Sequence, residues 1–239
     1  MIGASAIAVK GLVKRYGRRR ALDGFSLEVP SGCIMGLVGP NGAGKTTWMM
    51  AVAGLLRPDS GEISILGRGP FDAAVHTGRV SILPQDSELP LESTPLGLLR
   101  GFGVMQGLSA AAAERSALEV LAGVNLADRA RASIRSLSHG MRKRVMSAQC
   151  FLGAPEVILL DEPLNGLDPE EAHRMRELIA SGRGRRTVVI SSHNLNDLER
   201  LCTHVAFVEA GRVVRVATLA ELTASGATLE ETYLNGRGL

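Results

Sequence analysis

Nine consecutive residues, Gly39-Pro40-Asn41-Gly42-Ala43-Gly44-Lys45-Thr46-Thr47, carry the most specific chemistry in the chain. They fit G-x-x-x-x-G-K-[ST], and they sit between the apolar run CIMGLVG and the helical run TTWMMAVAGLL. Glycines let the backbone close around an anion so that successive N–H groups point inward. The start of the helix adds partial positive charge. In such a turn Lys45 neutralises the β- and γ-phosphates, the Thr46 hydroxyl reaches Mg²⁺, and Thr47 reaches the α-phosphate. A second constellation follows Val157-Ile158-Leu159-Leu160, an apolar run that ends in Asp161-Glu162-Pro163. A buried parallel strand that ends in two carboxylates delivers them to the carboxyl edge of the sheet, where α/β proteins bind ligands. Asp161 is placed to hold Mg²⁺ beside Thr46, and Glu162 to orient and deprotonate an attacking water.

The elements that must position these groups are legible in the periodicity. IAVKGLV, FSLEV and EISIL alternate apolar and polar residues and predict half-exposed strands. CIMGLVG, RVSIL, EVILL, TVVIS and HVAFV are nearly all apolar, the pattern of parallel strands covered on both faces. Helices are predicted over 45–55, 114–122, 141–152, 170–180 and 195–201, then a short strand over 212–216 and a helix over 218–224. The alternation predicts an α/β fold with a mostly parallel sheet. From Asp86 to Leu152 no strand is evident, so 86–152 reads as an inserted helical subdomain within one 239-residue domain, with 1–85 and 153–239 forming the rest.

Leu137-Ser138-His139-Gly140-Met141 precedes the basic run Arg142-Lys143-Arg144. Ser138 reads as a helix N-cap, and a hydroxyl beside free N–H groups at a helix start makes an anion site. Asp168 reads as another cap, with Pro169 at the first helical position and Glu170-Glu171 on the positive end of the helix.

Taken together, these motifs resemble the nucleotide-binding subunits of ATP-binding-cassette (ABC) transporters, over residues 9 to about 234. The resemblance implies a P-loop NTPase core, an antiparallel β subdomain and an inserted helical subdomain. It implies ATP and Mg²⁺ as ligands. The 137–141 stretch is similar to the family's LSGGQ signature, with His139 in place of the first Gly and Met141 in place of Gln. The resemblance assigns Ser138 and Gly140 to the γ-phosphate of ATP held by a second copy. It assigns Gln85, which ends RVSILPQ, to sensing of Mg²⁺ and the γ-phosphate. It assigns His193, which ends TVVISSH, to positioning the attacking water, Asp168 to the dimer interface, and Tyr16 to stacking on adenine. Hydrolysis at composite sites is thus expected between two subunits, taken as identical. The LS-x-GM signature, SSHNLNDLERLC and TLEETYLNG look like the ABC-2-type export ATPases. A non-transport cassette ATPase, an importer subunit and a simpler P-loop kinase or GTPase remain the alternatives, although no guanine-reading N-K-x-D occurs.

Composition bounds the rest. The longest uncharged stretch, 29–44, is short and holds Pro30 and Pro40, whereas a spanning helix needs about 20 apolar residues. Separate transmembrane permease subunits are therefore expected, with this chain peripheral on the cytoplasmic face of the membrane and attached only through them. Val80, Leu89, Leu91, Leu96 and Leu98 are candidate apolar contacts for such a partner. MIGASAIAVK lacks a basic n-region and a long apolar core, so no secretory signal is expected. Aromatics are 3% of residues, which argues against base-stacking nucleic-acid modules. Cys33, Cys150 and Cys202 are odd in number and far apart, so neither a disulfide framework nor a zinc site is expected.

Overall fold

The computed structural model describes residues 5–85, 87–224 and 226–236. The subdomain boundary placed at Asp86 falls outside them. Three strands, β1 (Ser5–Tyr16), β2 (Arg19–Pro30) and β4 (Ser60–Ile65), form an antiparallel sheet in the order β2-β1-β4. A second sheet of six strands runs β5 (Val80–Leu83), β6 (Val157–Asp161), β7 (Thr187–Ser191), β3 (Ile34–Val38), β8 (His204–Glu209), β9 (Arg212–Thr218). All neighbours in it are parallel except the β8–β9 pair. The expected mostly parallel sheet with an antiparallel subdomain is what the chain forms. β3, β6 and β7 are buried at every residue, as their unbroken apolar runs require.

The helix α1 (Lys45–Val52) follows the phosphate loop and stops at Ala53, short of the expected Leu55. Its Trp48 is fully buried and stacks on Phe25 at 5.9 Å, which joins the helix to β2. Between residues 87 and 152 the described chain is helical: α3 (Pro95–Met105), α4 (Ala110–Gly123) and α5 (His139–Gln149), after the short helix α2 (Ala73–His76). All four have capping oxygens: Thr94, Ser109 and Ser138 each accept the N–H three residues on, and Asp72 accepts the Ala74 N–H at the start of α2. α3 is absent from the periodicity reading because Gly97, Gly101 and Gly103 interrupt it. Gly103 is there for packing, since a Cβ on it would lie 2.9 Å from the Ala113 Cβ of α4. The remaining helices are α6 (Pro169–Ala180), α7 (Leu195–Leu201), α8 (Leu219–Leu222) and α9 (Leu229–Gly236).

Two hydrophobic clusters sandwich the parallel sheet. One gathers Phe25, Met35, Leu37, Trp48, Leu159 and Val189 under the antiparallel sheet. The other runs from Leu99, Leu121 and Val145 of the helices to Ile158, Leu160, Val188 and Ile190 of the opposite sheet face. The helices between 87 and 152 thus share their core with the sheet. At the cleft end, Asp23 ties β2 to β9: Arg212 first, and then Arg20, hold its carboxyl below the usual carboxylate range.

All three cysteines are buried and free. Burial pushes the Cys33 and Cys150 thiols up to about 12, and the Cys202 thiol is raised as well. The thiolate is the reactive form. The native protein at pH 8 is therefore expected to resist iodoacetamide, with three carboxamidomethyl groups added only in denaturant; mass spectrometry reads the count, and rapid labelling of any of the three in the folded chain would contradict the burial.

Candidate active site

The phosphate loop, the hairpin joining β1 to β2 and the end of β6 enclose a cleft of about 540 Å³. Tyr16, Arg19, Ala21, Asn41, Gly42, Gly44, Lys45, Thr46, Thr47, Gln85, Asp161 and Glu162 line it. Of the expected residues, it therefore brings together the phosphate loop, both carboxylates, Gln85 and Tyr16, from four separate stretches of sequence.

The loop is shaped by neighbours as well as by its own glycines. Gly44 has φ 111°, and a Cβ there would sit 2.6 Å from the Ala21 carbonyl oxygen. A Cβ at Gly39 would lie 2.1 Å from the Val208 carbonyl oxygen. Ala43 is buried, and its carbonyl accepts the N–H of Gly211 at 2.9 Å, which fixes the loop to the turn between β8 and β9. Lys45 folds back along the loop and donates to the carbonyls of Gly39 (2.7 Å) and Pro40 (3.1 Å). Burial pushes its ammonium below the ordinary lysine value, while Glu162 and then Asp161 push it back up. Pro40, Asn41 and Gly42 form the exposed lip.

Asp161 is 3% exposed at the end of β6. Its Oδ1 accepts the hydroxyl proton of Ser191, whose Oγ in turn accepts the Glu162 N–H at 3.0 Å. One buried hydroxyl on β7 thereby sets both carboxylate residues. Asp161 Oδ2 is buried and has no hydrogen-bond partner among the described residues. Glu162 adopts φ 51°, a left-handed conformation that a residue with a Cβ adopts at a cost of about 1–2 kcal/mol. Its Oε2 lies 2.9 Å from His193 Nδ1, a contact the sequence reading did not anticipate. His193 stays 62% exposed, open to the face of the molecule.

Ser138 and Gly140 do not line this cleft. Ser138 caps α5, accepting the Met141 N–H at 3.1 Å. A Cβ on Gly140 would lie 2.2 Å from Glu171 Oε2, so the glycine makes room for a carboxylate of α6. That carboxylate pairs with the buried Arg144 at 3.1 Å. Asp168 caps α6, accepting the Glu171 N–H at 2.8 Å. The segment around Asp168 and the start of α5 are thus linked through Glu171. His139 and Arg142 open instead onto a groove of about 520 Å³ shared with Gln85, Leu89, Leu91 and Met146. Of the candidate apolar partner contacts, Leu89 and Leu91 line that groove. Leu96 is buried in one core, and Leu98 and Val80 are half-buried against the cores, as Leu89 also is.

Three contributors escape the sequence reading. Arg19 lies in an arginine run, KRYGRRR, with no motif to single it out. Ser191 looks like the end of a strand, and Glu171 like a helix-start acid. Each acquires its position only from a residue far away in the chain.

A nucleotide-sized cleft built from a glycine loop, a lysine and two strand-end carboxylates defines a P-loop nucleoside-triphosphatase. The profile of the ABC transporter family matches residues 22–165, more than half of the chain, and the chain belongs to that family. It is an ATP-binding cassette ATPase. It is similar to the Nod factor export ATP-binding protein I of Ralstonia nicotianae, 36% identical over 97% of this chain and 74% of the relative. It is also similar to the daunorubicin resistance ATP-binding protein DrrA3 of Streptomyces coeruleorubidus, 39% identical over 92% of this chain and 70% of the relative. Among solved structures, an ATP-binding subunit of an ABC transporter superposes with a TM-score of 0.84 at 29% identity, covering 97% of this chain and 99% of the other. A dimeric post-hydrolysis cassette bound to ADP and Pi shares the fold, with a TM-score of 0.80 at 24% identity over 89% and 98% of the two chains. No described helix is long and apolar enough to cross a membrane.

Proposed function

We propose that the chain is the ATP-hydrolysing subunit of an exporter, that two copies close around two Mg-ATP, and that the chain is held on the cytoplasmic face of the membrane by separate transmembrane permease subunits that carry the cargo. The export reading is supported by the two relatives, whose names are those of export and drug-resistance ATP-binding proteins. The dimer reading is carried by one observation: Ser138 and Gly140 lie outside the cleft that holds Lys45, Asp161 and Glu162. A second copy is what brings an α5 start to each cleft. Residues 86–152 then act as the subdomain that presents this helix, and the groove with Leu89 and Leu91 receives the permease.

In this reading the Lys45 ammonium exchanges two neutral carbonyls for the β- and γ-phosphates, so that a charged donor meets charged acceptors. Tyr16 stacks on the adenine, and Gln85 reaches the γ-phosphate. Asp161 fits Mg²⁺: its Oδ2 is buried with no hydrogen-bond partner among the described residues, and Thr46 and Gln85 line the same cleft. Mg²⁺ is commonly held by one or two carboxylates plus substrate phosphates, and when bound it neutralises charge on the phosphoryl group. Glu162 accepts the proton of the attacking water, and His193 holds the Glu162 carboxylate on one side while its exposed edge faces the γ-phosphate. Asp168 meets the second copy.

Ser138→Arg tests the composite site. The variant is expected to bind Mg-ATP with the parent's affinity by calorimetry, yet to stay monomeric in multi-angle light scattering and to lose hydrolysis at least about 100-fold, the scale of losing an oxyanion-type contact. Full hydrolysis by this variant as a monomer would remove the second copy from the mechanism.

A further inference from the structure

Three cations of the hairpin and its neighbouring strand are committed to carboxylates. Lys14 pairs with Asp59 at 3.1 Å, Arg20 with Asp23 at 2.6 Å, and Arg212 with Asp23 at 2.7 Å. Arg19 has no ion pair among the described residues. Its one side-chain hydrogen bond among the described residues runs from Nη2 to the carbonyl of Gly42, a neutral acceptor, at 3.1 Å. The approach depends on Gly42 lacking a side chain, because a Cβ there would lie 2.3 Å from that same nitrogen. Arg19 is the cross-strand partner of Tyr16 in the hairpin, and both line the cleft that holds Lys45. The guanidinium is thus tied both to the strand position opposite the aromatic ring and to the loop that carries the ammonium.

We propose that Arg19 is a nucleotide-contacting residue whose guanidinium leaves the Gly42 carbonyl for the α-phosphate of the bound nucleotide. The inference rests on the assignment of the ring to the base and of the ammonium to the outer phosphates. Along a nucleoside triphosphate the group lying between those two ends is the α-phosphate. A guanidinium on a phosphate makes a shorter and stronger bond than on a carbonyl, and a fork of donors can bridge two oxygens. The exchange also frees the lip of the loop from the hairpin. Because ADP and ATP share the α-phosphate, the contact serves substrate and product alike and contributes to affinity rather than to the chemical step.

Calorimetry and steady-state kinetics on the full chain test this with Mg-ATP and Mg-ADP. Arg19→Ala and Arg19→Gln are both expected to weaken ATP and ADP by the same factor, about 10- to 100-fold, the range of a hydrogen bond to a charged group. KM should rise with kcat within about twofold of the parent. Arg19→Lys should recover part of the loss, and the ATP affinity of the parent should fall more steeply with salt than that of Arg19→Ala. A merely structural arginine would be replaced by Gln, which can still donate to the Gly42 carbonyl. The proposal is overturned if Arg19→Gln binds as the parent does, if ADP keeps its affinity while ATP loses it, or if kcat falls at unchanged affinity. Lys45→Ala is measured alongside. Parent-like binding by that variant would sink the assignment of the cleft itself, whereas weakened Lys45→Ala with parent-like Arg19 variants sinks the arginine contact alone.

Discussion

Glu162→Gln is expected to bind Mg-ATP as tightly as the parent and to lose about 10²–10³ in kcat, within the range a positioned general base contributes. The geometry gives the reason for both halves. Glu162 sits 2.9 Å from His193 and lines the cleft as a side chain the phosphate loop does not hydrogen-bond among the described residues. Its backbone N–H, not its side chain, holds Ser191, so the amide variant leaves the anchor of Asp161 intact. The glutamine keeps size and hydrogen-bonding capacity but cannot take a proton. ATP then persists, and the dimer it closes should accumulate. Light scattering with Mg-ATP should report a doubled mass for this variant and the monomer mass on addition of Mg-ADP. Single-turnover rates near those of the parent would remove Glu162 from the base role.

Gly44→Ala is expected to be a severely damaging single-methyl change in the site. Two independent costs fall on one Cβ. The backbone sits at φ 111°, a conformation that side chains disfavour by about 1–3 kcal/mol. The methyl would also meet the Ala21 carbonyl oxygen at 2.6 Å, and that oxygen belongs to a backbone fixed in β2. The loop must shift, and every N–H aimed at phosphate shifts with it. Loss of detectable ATP binding in calorimetry and a clear fall in Tm are both expected. Gly24→Ala separates the two costs: its φ is 77°, with nothing within 4 Å of the added Cβ. That variant should lose only about 1 kcal/mol and keep ATP binding. Equal behaviour of the two variants would show that the loop tolerates displacement.

How much of this could be read from the chain alone depends on how local the cause is. The phosphate loop and the strand-end carboxylates are contiguous stretches whose flanking apolar runs fix their context, and they assemble as expected. The buried strands were equally plain, because a central parallel strand must be apolar at every position. α3 was not, because its glycines oppose helix formation and are explained only by the contact of Gly103 with Ala113. The antiparallel strands extend beyond their apolar cores, to Tyr16 and from Arg19, because pairing across the hairpin carries polar residues with it. Ser191, Glu171 and Arg19 do their work through partners 30, 31 and 23 residues distant, at Asp161, Gly140 and Gly42. No spacing rule announces a contact of that kind.

The left-handed backbone of Glu162 carries a consequence for laboratory evolution. A position at φ 51° is one where glycine or asparagine sits more comfortably than glutamate. Libraries sorted only for heat resistance or yield should therefore drift toward those residues at position 162 and enrich well-folded, inert cassettes. Thermal hardening of this protein has to be screened with a turnover readout, because its breeding optimum and its working optimum part company at a single peptide unit.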